Sequence, residues 1–75
     1  GEHDAAADAF QKALALQPDY ATARYHLGVA RAQQGDRNAA REAFQQALEH
    51  QPFPEADQAR TALAQLDAGA GETQK

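Results

Sequence analysis

The chain of 75 residues contains no cysteine, no serine and no isoleucine. The absence of cysteine excludes disulfides, zinc–thiolate centres and thiol nucleophiles, and the absence of serine excludes a serine nucleophile. One valine and three threonines are too few β-branched residues to build a sheet. No apolar run has the length of a membrane span or of a signal peptide's apolar core. The sequence therefore predicts a small all-α domain that neither crosses nor binds a membrane.

The charge of the chain argues against binding to nucleic acid. The formal net charge is −4 and the isoelectric point is about 5.1, whereas surfaces that follow a phosphate backbone are basic. The sequence has no glycine-rich phosphate loop. We therefore expect no enzymatic activity and no cofactor. The sequence leaves the compartment open, with a slight preference for the cytoplasm.

The residues that are abundant favour helices. The chain has 20 alanines, 10 glutamines and 6 leucines, all of which are good helix formers. Prolines and glycines at Pro18, Gly35, Pro52, Pro54, Gly69 and Gly71 divide it into segments of helical length. These helix-breaking residues predict four helices, at residues 3–16, 20–34, 37–50 and 55–67. Residues 68–75 contain little that could be buried and are predicted to form a disordered tail.

The expected helix ends carry recognisable capping residues. Asp19 and Asp36 stand where N-cap residues belong, and Glu55 lies in an expected first turn. Gly35 follows the second helix directly, as a left-handed residue after a helix does. The turn between the second and third helices is therefore predicted at Gly35-Asp36.

The first and third predicted helices carry the same motif. Its members recur in order at a constant spacing of 34 residues, as Ala6, Phe10, Ala13, Leu14 and Pro18 and then as Ala40, Phe44, Ala47, Leu48 and Pro52. The alanines allow two helices to approach closely, the phenylalanine fills the space between them, and the proline ends the helix. A fixed period of this length with two helices per unit indicates a helical solenoid.

Residues 21–52 resemble one whole tetratricopeptide repeat. The resemblance rests on the Leu27-Gly28 pair, on the Gly35-Asp36 turn and on the motif of the third helix, from Ala40 to Pro52. It implies an all-α fold of four helices, arranged as antiparallel hairpins of a right-handed solenoid. Residues 1–67 would then form one domain, composed of a half repeat (3–18), a full repeat (21–52) and a capping helix (55–67).

Two registers are possible for the last helix. Leu63-Ala64 is similar to Leu27-Gly28 at a spacing of 36, which implies two inserted residues near Phe53-Pro54. The family resemblance implies a concave surface lined by the first helix of each pair, where peptides or partner helices dock. The implied lining is Thr22, Tyr25, His26, Val29, Ala32 and Gln33, joined by Ala59, Arg60 and Leu63 from the last helix. Tyr25 is either an anchor for the partner or a residue packed against a neighbouring helix.

Two functions are compatible with this reading. The first is a non-enzymatic scaffold or adaptor that binds a protein or peptide in the concave groove. The alternative is self-association, in which copies complete each other's helix stack through a face composed of Ala6, Phe10, Ala13 and Leu14. A third and more distant hypothesis is that the chain is a regulatory part of a larger enzyme. A domain of this size rich in alanine buries little apolar surface, so contacts outside it are expected to add stability.

Charged and metal-binding side chains allow further hypotheses. The central hairpin contains four arginines, Arg24, Arg31, Arg37 and Arg41. They either form a solvated face paired with Asp36 and Glu42 or bind an acidic partner. The three histidines lie on three different predicted helices and have no helical metal-site spacing. The sequence Gly1-Glu2-His3 has the nitrogen arrangement that suits Cu(II) or Ni(II). We set this last hypothesis aside and expect no metal site.

Overall fold

The computed structural model of the chain describes the backbone of residues 2–73 and the side chains of residues 2 and 4–68. Within residues 2–73 the chain forms four α-helices and no strand. They are α1 (Glu2–Leu16), α2 (Ala21–Gln33), α3 (Arg37–Leu48) and α4 (Ala56–Thr73). The predicted fold class and the number of helices are confirmed. None of the four has both the length and the apolar character that a membrane span requires.

The largest difference from the predicted boundaries lies at the end of α4. This helix continues to Thr73, whereas the sequence predicted an end at residue 67 and disorder from residue 68. The prediction is therefore wrong for residues 68–73, and residues 74 and 75 lie outside the described part of the chain. Two glycines do not end a helix when alanines and other good helix formers surround them, because each glycine costs only about 1 kcal/mol relative to alanine.

The turn between α2 and α3 has the predicted capping structure. Gly35 adopts a φ of 85°, and its N–H donates to the carbonyl of Ala32 at 3.0 Å. The N–H of Asp36 donates to the carbonyl of Arg31, also at 3.0 Å. This pair of bonds satisfies two carbonyls at the end of α2, in the arrangement of a Schellman motif. The Asp36 side chain then accepts from the N–H of Ala39 at 3.1 Å and caps α3 as predicted.

The start of α2 differs from the prediction. Its N-cap residue is Tyr20, whose side chain makes no capping hydrogen bond, so the proposed cap by Asp19 is wrong. The preceding turn is instead held by Arg24, whose guanidinium donates to the carbonyl of Pro18 through Nε at 3.1 Å and Nη2 at 2.8 Å. The same guanidinium donates through Nη1 to Gln46 at 2.7 Å, which links this turn to α3.

Contacts between the helices show that consecutive helices run antiparallel. Arg24 near the start of α2 reaches Gln46 near the end of α3. In the same way, Arg37 at the start of α3 donates to the carbonyl of Leu66 in α4 at 3.5 Å. Each helix packs against the next along the chain. Consecutive helix pairs therefore form hairpins, and α3 lies between α2 and α4.

The core is built from α3 and the two helices beside it. Phe44 is the largest fully buried side chain and clusters with Ala40 and Ala59. Gly28 of α2 lies so close to the Phe44 ring that a Cβ atom at residue 28 would be 2.6 Å from its Cε1. A larger residue at position 28 would require the ring to move. Phe53, in the connection between α3 and α4, also packs against this cluster.

A row of aromatic rings connects the first three helices. Phe10 of α1 stacks on His26 of α2 with ring centroids 5.4 Å apart. His26 meets the edge of Tyr25 at 5.1 Å, and Tyr25 contacts Phe44 of α3 at 5.7 Å. Separations of this size are typical of favourable ring pairs. The row therefore extends the core from α3 through α2 to α1.

Candidate partner-binding groove

An apolar groove lies between α2 and α4, with Phe44 of α3 among its lining residues. Its volume is about 320 Å³. The lining is Val29, Ala32, Gln33, Phe44, Ala62, Gln65 and Leu66. Three of these residues, Val29, Ala62 and Leu66, also pack against the buried cluster around Phe44. The groove surface is therefore continuous with the hydrophobic core.

The α2 side of this groove agrees in part with the predicted lining, and the α4 side does not. Val29, Ala32 and Gln33 line it as predicted. Ala59 is completely buried in the core, so a partner could not reach it. Arg60 is exposed, pairs with Asp57 within α4, and also donates to Gln51 at 2.9 Å. Leu63 packs against the core cluster.

The α4 side was predicted in the wrong register. Ala62 and Gln65 take the places assigned to Ala59, Arg60 and Leu63, and they lie 36 residues after His26 and Val29. The buried residues show the same spacing, because Ala23 and Ala59 are both buried and are also 36 apart. Two inserted residues shift the face that α4 presents by about 200°, since each residue turns a helix by about 100°. The spacing of Leu27-Gly28 and Leu63-Ala64 carries this signal in the sequence.

The first residues of α2 do not line the groove, unlike its last residues. Tyr25 packs against Phe44 and His26, which is the packing alternative considered for this residue, and His26 stacks on Phe10. Thr22 donates from its hydroxyl to Glu55 Oε1 at 2.9 Å, and this bond joins α2 to the residue before α4. None of these three predicted lining residues is among the residues that line the groove in the described structure.

The predicted self-association face on α1 is only partly available. Leu14 is buried, so it cannot serve a second copy, and its place on that face was a wrong prediction. Ala6, Phe10 and Ala13 remain half-buried. Ala7 is almost completely buried, although the repeated motif indicates its neighbour Ala6 as the apolar position.

Three of the four arginines of the central hairpin bond between helices, and Arg31 bonds to the residue that follows its own helix. Arg41 Nε pairs with Asp67 Oδ1 of α4 at 3.0 Å, and Arg31 donates to Gln34 at 3.2 Å. With the contacts of Arg24 and Arg37 to the Pro18 and Leu66 carbonyls, all four guanidiniums have intramolecular acceptors. Within the described range, none of their hydrogen bonds goes to Asp36 or Glu42, so the predicted pairing is wrong. The acids of the hairpin lie next to the arginines in sequence, but the helix packing brings other acceptors closer.

No group of three potential metal ligands is brought together among the described side chains. The Gly1-Glu2-His3 arrangement lies partly outside them, since the structure describes neither residue 1 nor the side chain of residue 3.

Comparison with protein families identifies the repeat. A model described as "TPR repeat" matches residues 1–35, and a model described as "Tetratricopeptide repeat" matches residues 21–54. The chain has no significant match among the curated proteins or the solved structures. The two family matches cover α1, α2 and α3, including both copies of the motif that recurs after 34 residues. Over residues 1–54, the chain thus belongs to the tetratricopeptide repeat family.

Proposed function

We propose that this chain is a non-enzymatic interaction module, a scaffold or adaptor, that binds a protein or peptide partner in the groove between α2 and α4. Tetratricopeptide repeats generally mediate protein–protein interactions. The observation that carries the proposal is the apolar groove of about 320 Å³ above Phe44. Concave, mostly apolar surfaces with a few polar groups are the usual places where proteins bind their ligands.

Binding in this groove would extend the core. Val29, Ala62 and Leu66 already contact the buried cluster on one side and line the groove on the other. An apolar side chain placed there would remove additional apolar surface from water at about 25 cal/mol per Å². A ligand that binds the folded state alone also raises its stability against unfolding. We therefore expect partner binding to raise the melting temperature of the domain.

The proposal can be tested by blocking the groove. Ala32 is exposed and lines the groove, so Ala32→Arg should fill it with a long charged side chain at little cost to the fold. The matched control is Ala15→Arg, at an exposed position of α1. Peptides selected from a random phage-displayed library against the unmodified chain would be measured on all three proteins by fluorescence anisotropy. We expect Ala32→Arg to lose binding and Ala15→Arg to retain it.

Two results would contradict the proposal. One is a library that yields no peptide with a measurable affinity. The other is a set of peptides that bind Ala32→Arg as well as they bind the unmodified chain. Circular dichroism of both variants would verify that each one remains helical.

Self-association through α1 is the second candidate function. It is supported by the partial exposure of Ala6, Phe10 and Ala13. The corresponding residues in α3 are buried. Leu16 of the same helix is 85% exposed. Apolar surface of this kind can mark an interaction site when it forms a continuous patch.

The structure argues against one way in which copies could stack. If α4 of one copy packed on α1 of another as α2 packs on α3, then residue 64 would take the place of Gly28. That residue is alanine, and a Cβ atom at the Gly28 position would collide with the phenylalanine ring. Pairing of two α1 helices avoids this collision.

Sedimentation velocity at several protein concentrations tests the second candidate. We expect a dimer that Phe10→Glu converts to a monomer. The control is Gln45→Glu, which adds a charge at an exposed position of α3. A species that remains monomeric at every concentration would exclude self-association.

A further inference from the structure

We propose that the groove between α2 and α4 takes an extended peptide segment with uncharged, aliphatic side chains. This inference rests on the proposed function and specifies the partner. It is carried by three properties of the groove: its uncharged lining, the carboxamides of Gln33 and Gln65, and its size.

The lining of the groove contains no charged side chain. Five of its seven members are apolar and the other two are glutamines. Another cavity, of about 200 Å³ between α1, α2 and α3, differs because Arg31 and Glu42 line it. A charge buried without a partner is strongly unfavourable, so the contacting face of the ligand must be neutral.

Two arginines of α3, Arg37 and Arg41, are bonded to α4, the helix on one side of the groove. Arg37 donates to the carbonyl of Leu66, a lining residue, at 3.5 Å, and Arg41 pairs with Asp67. A partner that used these guanidiniums would have to compete with existing bonds between α3 and α4. Charge complementarity therefore favours a neutral segment over an acidic one.

The two glutamines indicate an extended backbone. Gln33 belongs to α2 and Gln65 to α4, so a carboxamide is available from each of the two helices that border the groove. Each carboxamide offers both donors and an acceptor. An extended segment has unpaired backbone N–H and C=O groups to match them, whereas a helix has already paired those groups internally. The polar lining therefore fits an extended segment better than a helix.

The size of the groove limits how much of the segment it can hold. A dry cavity of about 150 Å³ accepts one benzene-sized group, so about 320 Å³ has room for roughly two aliphatic side chains. In an extended segment, side chains at i and i+2 lie on the same side. We therefore expect the motif to be two aliphatic residues separated by one residue of any type.

The test uses the peptides selected from the random library. Their sequences would be aligned, and the conformation of a bound peptide would be determined by transferred nuclear Overhauser effects. Gln33→Glu and Gln65→Glu each add one negative charge to the groove, and Gln45→Glu adds the same charge to an exposed site on α3. We expect each groove variant to weaken binding by about tenfold or more and Gln45→Glu to leave it unchanged.

The outcomes separate this inference from the proposed function. Peptides with alternating aliphatic residues, bound in an extended form and weakened by both groove variants, support it. Peptides that require the groove but carry a charged motif or bind as helices overturn the inference while the proposed function stands. A failure to select any peptide that is sensitive to Ala32→Arg overturns both.

Discussion

Helices α1 and α3 carry the same motif but have different surroundings. In α3 the side chains of Ala40, Phe44 and Ala47 are 0%, 2% and 0% exposed. Their counterparts 34 residues earlier in α1 are only half-buried. The difference arises because α3 lies between α2 and α4, whereas α1 has one closely packed neighbour, α2, among the described helices. A motif therefore specifies which face of a helix is apolar, and the neighbouring helices determine how deeply that face is buried.

The two phenylalanines also have different partners. Phe44 lies against Gly28, which lets the ring approach the backbone of α2. Phe10 instead stacks on the His26 ring, which leaves it closer to the surface. The same residue type thus acts as the centre of a core in α3 and as the edge of an aromatic row in α1. Each of the following substitutions tests part of this comparison.

The largest expected effect is that of Phe44→Ala. Removal of a buried phenylalanine costs about 3–5 kcal/mol, which is most or all of the stability of a domain of this size. Phe10→Ala should cost much less, about 1 kcal/mol, because its ring is only half-buried. Thermal unfolding followed by circular dichroism would measure both. Equal losses for the two variants would contradict the comparison.

Gly28→Ala comes next in size. Overpacking of a core costs about 1–3 kcal/mol, and the gain in helix propensity returns about 1 kcal/mol. We expect a net loss, because the Phe44 ring that must move is itself buried. Ala64→Gly, 36 residues later, should also lose about 1 kcal/mol, in this case from propensity alone. Urea denaturation would measure both losses, and a stabilised Gly28→Ala would disprove the close approach.

A smaller effect is expected for the stacking of Phe10 on His26. Aromatic pairs contribute about 0.5–1.5 kcal/mol beyond the area that they bury. A double-mutant cycle with Phe10→Leu and His26→Leu would isolate this coupling free energy. A coupling near zero would mean that the two rings do not stabilise each other. The alanines of α1 would then supply most of its attachment to α2.

The smallest effect concerns the ion pair between α3 and α4. Arg41 and Asp67 are 30% and 66% exposed, and exposed pairs contribute about 0.2–1 kcal/mol. Asp67→Asn should therefore reduce the free energy of unfolding slightly, and high salt should remove the difference because it screens exposed charges. Asp19→Asn is the control, since that carboxylate lies in an exposed turn. A loss that persists at high salt would indicate that the pair acts by packing.

Much of the fold could be predicted from the sequence because its determinants are local. Gly35 and Asp36 end one helix and begin the next through bonds that span at most five residues, and the 34-residue repeat marks the core face of α3. The α2 side of the groove was also partly predicted, since Val29, Ala32 and Gln33 lie on one helix face whose register the Leu27-Gly28 pair defines.

Other features required the tertiary structure. The face that α4 presents, the burial of Ala59 and the bonds from Arg37 and Arg41 to α4 all depend on how α3 and α4 meet after a connection that contains two extra residues. The same holds for Tyr25. Its position in the sequence is compatible with a ring that faces a partner, and only the packing of α3 shows that the ring contacts Phe44. Helix formation is governed by residues three or four apart, so the sequence alone determined four helices and their apolar faces. Depth of burial and groove lining depend on contacts between residues on different helices, such as Gly28 with Phe44 and Tyr25 with Phe44, and only the packing of α2, α3 and α4 decided them.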